Sequence, residues 1–134
     1  LPGSGRTAVI EMWGYHYGPT LTDRQYGLEH CNRLTGTDID ENRYLNLLEK
    51  RRLLYGFIPV GLNYDLIDTA PLPGGTEHPS VINDVFGGFS NSDIFDQMNA
   101  NILSPSDLKS PLNDVAPSGV TRNQIDLLFG DYNY

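Results

Sequence analysis

Positive charge is scarce in this chain of 134 residues. Lys and Arg number 9 against 17 Asp and Glu, a formal net charge of −8. Binding to nucleic acid needs a basic footprint that neutralises phosphates, so the balance argues against that class of partner. The nearest thing to a basic cluster, Lys50-Arg51-Arg52, falls late in an expected helix, where it complements the dipole and covers the solvent face. Cysteine is almost absent too. Cys31 stands alone, so no internal disulfide can form. Its neighbour His30 points in a different direction on most backbones, and the pair reads as a partly buried thiol at a helix end rather than as a nucleophile or a ligand pair. No stretch approaches the roughly 20 apolar residues of a membrane span. No charged-then-apolar leader of the signal-peptide type is visible. G-x-S-x-G, the P-loop and G-x-G-x-x-G are missing as well, which removes the common signatures of serine hydrolases, nucleotide hydrolases and dinucleotide enzymes.

What is there suits one mainly α domain over residues 1–134, a compact bundle of short helices. The length allows a single core. Residues 6 to 17 carry Val9, Ile10, Trp13 and Tyr17 at helical spacing, and the nearly all-round apolar character implies burial. Gly18-Pro19 is expected to stop this helix, and Thr22 to Gly27 to form a short second one. From Asp40 to Tyr55 the pattern Tyr44, Leu47, Leu48, Arg51, Leu54, Tyr55 predicts another helix. Val60 to Ile67 predicts a further one opening near Pro59, and the prolines and glycines of 70 to 80 predict a loop. Val81 to Phe89 has room for a short extended piece. The last third reads as three capped helices. Ser92 starts the first, with Ile94, Phe95 and Met98 inward. Ser104-Pro105-Ser106-Asp107 starts the second, and Thr121-Arg122-Asn123-Gln124 starts the third as a capping box with a Val120–Ile125 staple and Gly130 as its stop. There is no internal repeat and no convincing strand pair.

Several acids invite a chemical reading. Asp38-Ile39-Asp40-Glu41-Asn42 begins like a calcium loop, but its sixth position is Arg43 where the turn demands glycine, and helix capping explains the same acids. Asp65 and Asp68 lie one turn apart, and a hydrogen bond from Asp65 to a neighbouring segment is the simpler reading than acid-base work. Glu11 is the acid that needs a reason. It sits among Met12, Trp13, Tyr15, His16 and Tyr17, and a buried carboxylate requires either a partner or a metal.

Glu11-Met12-Trp13-Gly14-Tyr15-His16-Tyr17-Gly18, followed by Thr22-Asp23-Arg24-Gln25-Tyr26-Gly27, resembles the third-ligand helix of Bacteroidetes-type zinc metallopeptidases of the gluzincin kind. The likeness continues through Phe57-Ile58-Pro59-Val60-Gly61-Leu62, Asp65-Leu66-Ile67-Asp68, Asn83-Asp84-Val85 and Leu127-Leu128-Phe129 with Tyr132. The resemblance implies that Glu11 is the third zinc ligand, that His16 and Tyr15 line the catalytic site, and that Asp65 is an acid supporting the site or the structure. It also implies a peptide substrate and a secreted, periplasmic or surface-lipoprotein location. The chain departs from the pattern in one respect: H-E-x-x-H is absent, since His16, His30 and His78 have no histidine four residues on. The expectation is therefore the C-terminal half of a zincin-like domain, beginning in a loop, with zinc in the intact parent and none held by this half alone. Its partner would be the N-terminal half of the same domain, and an apolar face left bare would drive self-association. The rival expectation is a non-catalytic helical binding or structural domain, whose 8 tyrosines serve core and interface.

Overall fold

The computed structural model describes residues 3–26, 57–67 and 86–134, without the side chains of residues 19, 20, 22 and 23. The expected helix at 40–55, the calcium-like loop, Lys50-Arg51-Arg52, His30, Cys31, Asp68, the 70–80 loop and His78 lie outside the described residues. Among those described, the fold is mainly α, with five α-helices and one 3-10 turn. They are α1 (Ser4–Tyr26), α2 (Leu62–Ile67), α3 (Asn91–Gln97), the 3-10 helix Pro105–Leu108, α4 (Lys109–Asp114) and α5 (Arg122–Asp131). Residues 86–89 of the suspected extended piece carry no regular structure.

Helix α1 corrects two expectations. It runs 23 residues, straight through Gly18-Pro19 and the segment expected to be a second helix. A residue before proline is pushed out of the helical region by clashes of the proline Cδ with its N–H and its Cβ, and Gly18 lacks the Cβ. The break is thereby eased, although Pro19 has no N–H to give back to the carbonyl of Tyr15. Nor is α1 buried all round. Ala8, Val9, Met12 and His16 face inward, while Ile10 is 63% exposed and Glu11 and Gly14 are exposed.

Of the helical segments of the last third, α3, the 3-10 helix and α5 begin at side-chain caps, and α4 runs on from the 3-10 helix without one. Ser90, two residues before the expected start, caps α3: its hydroxyl accepts from the Asp93 N–H at 3.1 Å, and its own N–H donates to the Asp93 carboxylate at 2.8 Å. Phe95, expected inward, is 57% exposed. Asp107 accepts the backbone N–H groups of Leu103 and Ser104 at 2.9 and 2.8 Å, with Pro105 in the first helical position. In α5 the Thr121 N–H donates to Gln124 Oε1 at 2.9 Å and the Gln124 N–H returns to Thr121 Oγ1 at 3.3 Å, as the sequence predicts. The stop at Gly130 is displaced. The helix continues to Asp131, and Asn133 takes the left-handed conformation with φ 63°. The N–H groups of Asn133 and Tyr134 close back on the carbonyls of Gly130 and Phe129 at 2.9 and 2.8 Å, a Schellman ending with asparagine in the glycine role.

One apolar cluster unites these pieces. Val9 and Met12 of α1 meet Leu62 and Leu66 of α2, Ile94 of α3, Leu108, Leu112 of α4, and Ile125, Leu128, Phe129 and Tyr132 at the C-terminal end. Each such side chain contributes about 1.5–3 kcal/mol on burial. The α2 segment is entered by a tight turn in which the Leu62 N–H reaches the Pro59 carbonyl at 3.3 Å, so the helix starts three residues later than Pro59 suggests.

Candidate functional site

The residues singled out by sequence divide between two faces of α1. Glu11 and Tyr15 are one turn apart and both open to solvent, Tyr15 at 38% exposure. Gly14 and Gly18 flank them, and a Cβ built on either glycine would meet nothing within 4 Å. This side of the helix is bare backbone bearing one carboxylate and one phenol. The expectation of a buried Glu11 does not hold: the apolar partners of α1 pack against its other side.

His16 lies about 140° round the helix from Glu11, as five residues of an α-helix dictate. It is 3% exposed and belongs to the core face. Its Nε2 donates to Asn91 Oδ1 at 2.7 Å, which favours the tautomer protonated at that nitrogen. Asn91 is held there because the Ser90 cap fixes the first turn of α3. The imidazole meets the edge of Tyr64 at 5.0 Å between centroids and lies 5.9 Å from the Trp13 ring. Burial lowers its pKa below 6.5, and the Asn91 hydrogen bond only partly opposes this. A neutral imidazole wedged between aromatic rings is suited to holding α1, α2 and α3 together.

Asp65 is 2% exposed on α2 and accepts the Tyr132 hydroxyl at 2.5 Å. The Tyr134 hydroxyl donates to the Phe57 carbonyl. Two tyrosines of the C-terminal end therefore grip the segment 57–65. The structure thus keeps Glu11 with Tyr15, sets His16 with Asn91, and sets Asp65 with Tyr132.

Sequence reasoning did not single out Asn91 or Asn63. Asn63 is fully buried, and among the described residues its side-chain amide meets no hydrogen-bond partner. Its place in the Leu62-Asn63-Tyr64 run was the available signal, because a polar amide beside the apolar positions of a short helix has to be buried or turned aside. A described hollow also escaped notice. It lies between the first half of α1 and the turn at residues 98–102, and is lined by Arg6, Val9, Ile10, Trp13, Met98, Asn99, Ala100 and Ile102.

Among the described residues no three His, Cys, Asp or Glu side chains converge as a metal-binding group. No described helix is long and apolar enough to cross a membrane. No protein-family model matches the chain, and no curated protein or solved structure is significantly similar to it.

Proposed function

We propose that this chain is the C-terminal helical part of a gluzincin-like zinc metallopeptidase, contributing Glu11 as one metal ligand, and that it is catalytically silent by itself. The observation that carries the reading is the exposure of Glu11 on the side of α1 turned away from its own core. A ligand completed by another helix has to leave its own domain on that side. Gly14 and Gly18 support the reading further, because a helix without Cβ atoms at those points admits a close neighbour. Tyr15, one turn along, offers a hydroxyl donor for charge developing on a substrate oxygen.

The described residues do not by themselves fit a zinc ion, which needs three protein ligands and an open position. No hydrolytic step is assigned to them. Bound zinc lowers the pKa of its water and polarises a carbonyl. The contribution of this chain is a rigid helix that presents a carboxylate and a phenol on one side.

A second reading has its own support. Ile10 with Leu21, and Tyr15 with Tyr26, are exposed as two stripes along α1, and such surface also suits a non-catalytic binding domain that meets a protein partner.

Metal analysis of the full-length protein separates the two readings. Metallopeptidase function requires about one zinc per chain and a loss of at least tenfold in zinc affinity in Glu11→Gln, with the apo-protein melting unchanged because the side chain is exposed. Absence of zinc, or zinc retained at full affinity by Glu11→Gln, leaves only the binding domain.

A further inference from the structure

The groove between α1 and the turn at 98–102 has a volume of about 380 Å³. That lies within the range of small-molecule sites. Its walls are apolar: Val9, Ile10 and Trp13 on one side, Met98 and Ile102 on the other. Arg6 stands at its rim and is held over the turn by a hydrogen bond of 3.4 Å from Nη2 to the Ala100 carbonyl. That contact uses one of five guanidinium N–H donors. Among the described residues no carboxylate lines the groove. In a chain of net charge −8, a cation at the mouth of an apolar slot with no acid among its described lining residues is a local exception. Ile10, 63% exposed at the entrance, leaves the slot open.

From this juxtaposition we propose that the groove binds an apolar monocarboxylate, with the hydrocarbon part against Trp13, Ile10 and Met98 and the carboxylate accepting from the Arg6 fork. Burying the chain removes apolar area from water on both partners. The planar guanidinium matches a carboxylate in two parallel hydrogen bonds, a geometry an ammonium cannot reproduce. Two sources share this chemistry, a free fatty acid and the C-terminal residue of a peptide. The groove is on the other flank of α1 from Glu11 and Tyr15, so the proposal stands independently of zinc.

Trp13 is the only tryptophan in the chain and lies in the wall of the groove, so its fluorescence reports occupancy. The test titrates the chain with octanoate, N-acetyl-leucine and N-acetyl-leucinamide. A saturable emission change with octanoate alone marks the fatty-acid source. A change with N-acetyl-leucine alone marks the peptide source, and a change with both marks a site general to the class. In each case Arg6→Gln weakens binding at least tenfold, Arg6→Lys recovers only part of it, and Ile10→Asp weakens binding with the helical circular dichroism unchanged. An equal response to the uncharged amide, unaltered affinity in Arg6→Gln, or no saturable change with either acid overturns the proposal.

Discussion

His16 shows how one residue type can be placed by its surroundings. Its ring is buried among Trp13, Tyr64 and Asn91, and burial lowers its pKa below 6.5. The folded state therefore binds this proton less readily than the unfolded chain. The associated stability is complete above the unfolded value near 6.5 and is lost as pH falls from there towards the folded value. His16→Gln, which cannot titrate, should flatten the fall in melting temperature between about pH 7 and pH 5 relative to the parent. Parallel melting curves for the two proteins across that window would assign His16 no such role. Glu11 is the complementary case. Its neighbours in sequence are aromatic, yet its side chain is in solvent, because the side of a helix that meets the core depends on segments some 80 residues further along.

At the scale of elements, Gly5 governs the approach of α1 to the turn before the 3-10 helix. A Cβ at this position would stand 2.5 Å from the Leu103 carbonyl oxygen and 3.0 Å from Ser104 Cβ. Gly5→Ala gains up to about 1 kcal/mol of helix propensity, against an overpacking cost of about 1–3 kcal/mol. The expected outcome is a net loss of stability, read as a lower urea midpoint, and a gain would show that the turn can retreat freely. The elements whose signals are local were legible in the sequence: the Thr121–Gln124 box, the Ser104–Asp107 start and the mainly α class. The misread boundaries each involve a breaker overruled by its context. Gly18 lacks the Cβ that would exclude it from a helix before Pro19, and Gly130 was bypassed because the chain goes one residue further to bring Tyr132 fully into the core. Of the candidate site, the residue types on α1 were legible, but their division between two faces was not. Periodicity locates an apolar stripe only where polar residues frame it, and α1 mixes aromatics, glycines and two acids around its circumference.

For the whole molecule, the decisive tie is the bond between Tyr132 and Asp65, which spans 67 positions of sequence. Both residues are almost wholly removed from solvent. Tyr132→Phe keeps the ring and removes the hydroxyl, leaving the carboxylate short of a donor at a cost of about 1.5–3 kcal/mol. Chemical denaturation would measure it, and a cost under about 0.5 kcal/mol would mean that the pair adds little to the fold. The same tie has a consequence for how the protein is made. The phenol that Asp65 accepts from leaves the ribosome 67 residues after it, and the hydroxyl that meets the Phe57 carbonyl follows 77 residues after that carbonyl. Closing such distant pairs is slow compared with forming a local helix. The emerging chain can wind α1 early, but it cannot fasten α2 until residues 132–134 have been made, so α2 waits for its clasp through the synthesis of some 67 further residues.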